Sequence, residues 1–137
     1  MNLIKEVMVS RDDIKKVLSK YSILIVDDEE ITLETTSLMA KHYFKDVFTA
    51  KNGCEGIEIY KKKLPSLILS DVSMPKCDGI KMAKEIKEID SNAKIIFLTG
   101  HEEEEYKNYD ITKEYIVKPI STGKFIGAIF QVLEIES

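Results

Sequence analysis

Five residues in this chain could act together on a phosphoryl group. Asp27 and Asp28 close the apolar run "SILIV", Asp71 closes "SLILS", Thr99 closes "AKIIFL", and Lys118 follows "EYIV". If those runs are neighbouring strands of one sheet, all five converge on one rim. Three carboxylates held within a few ångströms repel one another, so a proton or a cation must share the site, and hard oxygen ligands of this kind suit Mg2+. Asp71 is then placed to attack phosphorus in line, with Lys118 and the Thr99 hydroxyl binding the remaining oxygens, and an acyl phosphate results. Each piece has a plainer explanation when taken alone. An acidic pair after a strand serves as a helix cap, Thr99-Gly100 as a turn opening, and Lys118-Pro119 as a loop dipeptide. Their joint placement at four strand ends is what the plainer explanation fails to account for.

The elements that must position these residues are legible as alternating patterns. "SILIVDD" at 22–28 is a buried, β-branched strand. Apolar Leu33, Leu38, Met39, Tyr43 and Phe44 then recur at helical spacing from Ile31 to Phe44, and "DVFTAKNG" is a second strand ending in a turn. "CEGIEIYKKK" is a helix with Ile57 and Tyr60 inward. Pro65 precedes the third strand, "SLILSD", and Gly79 opens the helix "GIKMAKEIKEI", whose stripe of Ile80, Ala83, Ile86 and Ile89 opposes a charged face. "AKIIFLTG" is the fourth strand, "HEEEEYKNY" a short polar helix, "EYIV" a short fifth strand and "STGKFIGAIFQVLE" a last helix. Five strands alternating with five helices predict an α/β fold: a doubly wound parallel sheet with right-handed crossovers and helices on both faces. Ligands in such sheets sit beyond the carboxyl ends of the strands, where strand order reverses.

The 137 residues fit one core, and 32% charged residues with a net charge of -4 exclude a direct nucleic-acid binder that needs a basic face. Cys54 and Cys77 are too few for a disulfide framework and read as free thiols. With no signal peptide and no long apolar run, the expectation is a cytoplasmic protein without a membrane segment.

The segments "ILIVDDEE", "LILSDVSMPKCDGI", "IIFLTG" and "YIVKPI" resemble the receiver domain of two-component response regulators, the CheY-like family, over about residues 22 to 135. The resemblance implies the flavodoxin-like strand order 2-1-3-4-5. It also implies Asp71 as phospho-acceptor, Asp28 as a direct Mg2+ ligand, Asp27 as the second acid acting through water, and the Ser73 backbone carbonyl as a further ligand. Thr99 is implied as the switch hydroxyl, Lys118 as the phosphoryl-binding lysine, Tyr115 as the aromatic switch, and Lys118-Pro119 as a cis peptide. Such proteins take their phosphoryl group from a histidine kinase, a phosphotransfer protein or a small acyl or amido phosphate, hydrolyse it slowly, and pass the signal to a downstream protein.

The chain departs from the family between Thr99 and Lys118, where it is shorter than most members and carries "YDITKEY" before the switch position. That implies a truncated or displaced fourth helix and puts the usual dimer mode in doubt. Residues 1–21 form an N-terminal extension before a receiver domain at 22–137, helical from about residue 11, where Ser10 and Asp13 resemble a helix start. Its stripe of Ile14, Val17, Leu18 and Tyr21 would pack on the domain, pair with its counterpart in a homodimer, or end a connecting helix. Only "EIES" remains at the end of the sequence, so the expectation is that the chain either acts alone through protein contacts or is part of something longer. Two competitors stand beside the phospho-accepting switch. A degenerate receiver would bind partners constitutively. An Asp-nucleophile phosphatase would carry a second aspartate two residues after the nucleophile, where this chain has Ser73.

Overall fold

The computed structural model describes residues 10–100, 112 and 114–134. Along the chain these form α1 (Arg11–Leu18), β1 (Ser22–Val26), α2 (Glu30–Lys41), β2 (Asp46–Ala50), α3 (Gly53–Lys63), β3 (Leu67–Asp71), α4 (Gly79–Ile89), β4 (Ile95–Thr99), β5 (Tyr115–Val117) and α5 (Thr122–Val132). The polar helix expected over "HEEEEYKNY" lies outside the described residues.

The strands make one sheet in the order β2-β1-β3-β4-β5, every neighbouring pair parallel. Successive residues of a strand point to opposite faces, so apolar runs such as "SILIV" must be covered on both sides. One face gathers Ile23, Ile25, Leu67, Leu69, Ile96, Leu98 and Ile116 under α1, α2 and α5, with Phe44, Phe125 and Phe130 among them. The other gathers Leu24, Val26, Ile68, Ile95 and Phe97 under α3 and α4. The fold is the doubly wound α/β sheet that the alternation of elements requires.

Helix ends follow local chemistry. Side chains of Ser10, Asn52, Asp78 and Ser121 accept from backbone N–H groups of α1, α3, α4 and α5, satisfying donors that have no partner within the helix. At α1, Ser10 and Asp13 form a reciprocal capping box. Leu18 of α1 is wholly buried in the core, and Ile14, Val17 and Tyr21 pack against the same cluster.

Two apolar residues point the other way from the sequence reading. Leu38 is 56% exposed and Ile89 49% exposed. In α2 the buried line is Leu33, Thr36, Ser37 and Ala40. At roughly 100° per residue Leu38 falls about 140° around the helix from Leu33, so small residues, not Leu38, meet the sheet. The helix also stops at Lys41, and Tyr43 and Phe44 reach the core from the connection that follows. Ile89 is the last residue of α4, where Met82, unmarked by the sequence stripe, is buried instead.

Candidate functional site

The rim formed by the carboxyl ends of β1, β3, β4 and β5 carries the acidic site. Asp27 continues the backbone ladder one residue past β1, its N–H donating to Ala50 O at 3.1 Å. Its carboxylate is almost wholly buried: Oδ1 accepts from Glu29 N at 2.9 Å, while Oδ2 has no hydrogen-bond partner. Asp28 beside it is exposed. Asp71 ends β3, half-buried, and its Oδ1 accepts from Val72 N at 2.9 Å. One carboxylate oxygen from each of Asp27, Asp28 and Asp71 lies within 4.8 Å of the others.

Lys118 is the cation facing this cluster. Its Nζ is 3.7 Å from Asp71 Oδ2 and 4.0 Å from Asp27 Oδ2. A charge-assisted N–H···O contact closes to about 2.7–2.9 Å, so the ammonium is aimed at the acids without being locked to either. Thr99, buried at the end of β4, shares this rim, since Lys118 N donates to Thr99 O at 2.7 Å. The Lys118-Pro119 peptide is cis.

Charge and burial work against each other here. Burial is the largest influence on Asp71; Lys118 opposes it and Asp27 adds to it, and the carboxyl is pushed up from 3.8 to about 6. Asp27 is also raised, first by burial, against the Glu29 hydrogen bond and the Lys118 charge. Among the described residues one ammonium, that of Lys118, is paired with these acids, and it does not balance three carboxylates at a partly desolvated site. The donor set is all hard oxygen, and the buried Asp27 Oδ2 lacks a partner. Both features fit a Mg2+ ion.

Two further residues were singled out from the sequence. Ser73 is exposed in the loop just past β3. Tyr115 opens β5, three residues before Lys118, and is half-buried with its ring 5.9 Å from that of Phe97, on the α3/α4 side of the sheet.

Several supporting residues were missed in the sequence. The backbone N–H groups of Glu29 and Val72 orient two of the acids, and backbone donors carry no residue signature. Lys124 Nζ donates to Val117 O at 3.1 Å and Pro119 O at 3.4 Å, bracing the chain on either side of Lys118. Gly79 lets α4 begin hard against β3: a Cβ there would lie 2.2 Å from Asp71 O. Gly79 was legible in the sequence as the opening of this helix, but its approach to Asp71 was not.

A family model described as the response regulator receiver domain matches residues 23–130. The chain belongs to this family. This receiver domain is 35% identical over 117 residues to the chemotaxis protein CheY of Bacillus subtilis, covering 82% of the chain and 98% of that protein. It is 37% identical over 114 residues to the chemotaxis protein CheY of Halobacterium salinarum, covering 81% and 95%. Among solved structures, a response regulator receiver domain protein from Clostridium thermocellum is similar with a TM-score of 0.77 at 26% identity, covering 84% of this chain and 95% of that one. The CheX–CheY–BeF3–Mg complex from Borrelia burgdorferi is similar with a TM-score of 0.72 at 29% identity, covering 82% and 88%. No helix of the described residues in this receiver domain is long and apolar enough to cross a membrane.

Proposed function

We propose that this receiver domain is a phospho-accepting switch that takes a phosphoryl group onto Asp71 from a histidine kinase or phosphotransfer protein. The observation that carries this reading is the division of labour between the two oxygens of Asp71. Oδ1 is engaged by the Val72 N–H, while Oδ2 is turned toward the Lys118 ammonium 3.7 Å away. Asp71 Oδ2 is therefore the nucleophile. Its lone pair forms the new bond to phosphorus as the bond from phosphorus to the donor nitrogen breaks, and the electron pair stays on the imidazole, which takes up a proton.

Lys118 then closes on the transferred oxygens, replacing its loose contact with the acids by a direct one. The Thr99 hydroxyl is the second donor. A Mg2+ ion held by Asp27, Asp28, Asp71 and the Ser73 backbone carbonyl would offset the negative charge of the arriving group. With Ser73 at the position where a phosphatase of the Asp-nucleophile type places its acid, autophosphatase turnover is slow and the protein acts as a switch more than an enzyme. When Thr99 moves toward the phosphoryl oxygens, the Tyr115 ring leaves Phe97 and shifts toward the space vacated, altering the surface around β5 and α5.

The Borrelia relative, solved as a complex with BeF3 and magnesium, supports the chemistry. The surface beside the rim supports a protein donor. An apolar groove of about 430 Å³ runs from Ile31 and Thr35 of α2 to Lys118, Pro119 and Ile120, and Ile31 is 76% exposed at its edge. A kinase or phosphotransfer protein seated there would bring its phosphohistidine over the acids.

Intact-mass measurement after acetyl phosphate treatment, with and without Mg2+, tests the reading on wild type and Asp71→Ala. A single Mg2+-dependent phosphoryl adduct on the wild type, lost in the variant, is expected. Equal labelling of both proteins overturns Asp71 as acceptor, and labelling of neither favours a constitutive binding module.

A further inference from the structure

The two cysteines, 23 positions apart in sequence, lie on two segments that meet where α3 begins beside the loop from β3 to α4. Cys54 stands in the first turn of α3 and is exposed; Cys77, the second-last residue of the loop, is buried. Gly53 N donates to Cys77 O at 2.8 Å, which sets the start of α3 against the loop backbone. The space between them is nearly closed, since a Cβ at Gly53 would lie 2.4 Å from Cys77 O and 2.9 Å from Cys77 Sγ. The Cys77 sulfur is thus turned toward the first turn of α3, which carries Cys54 one residue after Gly53. A disulfide needs two backbones side by side, and the Gly53–Cys77 hydrogen bond holds these two so at the residue next to Cys54.

We propose that Cys54 and Cys77 are a redox modification site that closes to an intramolecular disulfide on reaction with a hydroperoxide. Exposed Cys54, as its thiolate, attacks the peroxide O–O bond, and the leaving oxygen departs as water or an alcohol. Cys54 is left as a sulfenic acid. Cys77 then attacks the Cys54 sulfur, the S–S bond forms, and the sulfenic hydroxyl leaves as water with the Cys77 proton. Two thiols lose two electrons and two protons, and the peroxide takes up both. Burial pushes the Cys77 thiol up to about 11, which keeps it protonated and makes Cys54 the residue that meets the oxidant first. The bridge fastens α3 to the loop that carries Ser73. In a reducing compartment such a bond is transient, which suits a sensing role.

The test uses the full reduced chain, treated with hydrogen peroxide, then denatured and alkylated with N-ethylmaleimide. Two maleimide adducts before oxidation and none after it are expected, with unchanged monomer mobility on a non-reducing gel. Tryptic digestion without reductant should join residues 52–61 to residues 77–81, and dithiothreitol should restore both adducts. Cys54→Ser and Cys77→Ser should each abolish the joined peptide. The proposal is overturned if both thiols remain alkylated after peroxide, if the disulfide links two chains, or if Cys54 passes to sulfinic acid while Cys77 stays alkylated.

Discussion

Replacing Asp71 by asparagine should make the metal-free protein more stable, because the fold holds this carboxylate at a cost. Asp71 binds its proton more tightly in the native state, at about 6 against 3.8 for the ordinary carboxyl. Below about pH 4 both native and unfolded states keep the proton and no penalty arises. As pH rises toward 6 the unfolded chain loses its proton first, so native stability falls, and above that the full penalty stands. At ~1.36 kcal/mol for each tenfold difference in proton affinity, it amounts to about 3 kcal/mol. The asparagine side chain would keep the Val72 N–H hydrogen bond through its carbonyl oxygen and carry no charge. Urea unfolding of wild type and Asp71→Asn in chelator at pH 7.5 should therefore show the variant more stable by up to about 3 kcal/mol, or by about 10 °C in Tm for a chain of this size. The gain should shrink toward zero at pH 4. Added Mg2+ should shrink it too, by stabilising the wild type more than the variant. A variant no more stable than wild type at pH 7.5, or a gain that does not change with pH, would refute the reasoning.

Lys118→Met removes the cation that opposes the burial of Asp71, so the Asp71 carboxyl should rise further; acetyl phosphate labelling, followed by intact mass, should slow on the order of 100-fold, in line with loss of one charge-stabilising donor. Leu18→Ala should cost about 3 kcal/mol in urea unfolding, as for other fully buried leucines, because α1 contributes to the same core as Phe125 and Phe130; a loss under about 1 kcal/mol would mean that α1 is only lightly attached.

Strand interiors were the most legible part of the sequence, because a parallel strand buried on both faces must be apolar throughout and its end is marked by the first charge. Asp71 is the last residue of β3 and Asp27 the first after β1, as that rule requires. Helix faces were less legible where the inward residues are small or polar: Thr36 and Ser37 meet the sheet in α2, and no hydropathy pattern distinguishes them from solvent-facing residues. The roles of individual oxygens were not legible at all. Which Asp71 oxygen is free depends on one backbone N–H from Val72, and the missing partner of Asp27 Oδ2 depends on how Lys118 stops short. The approach of the Cys77 sulfur to the start of α3 was hidden for a different reason, since it arises from the packing of α3 against the β3–α4 loop, which sequence spacing does not encode.

Borohydride trapping offers the most direct measurement of where the phosphoryl group goes. An acyl phosphate is reduced to an alcohol, so phosphorylation in Mg2+ followed by reduction and peptide sequencing should convert Asp71 alone to homoserine, within the tryptic peptide 64–76. Homoserine at Asp27 or Asp28, or no conversion in a sample that carries the phosphoryl adduct, would contradict the assignment.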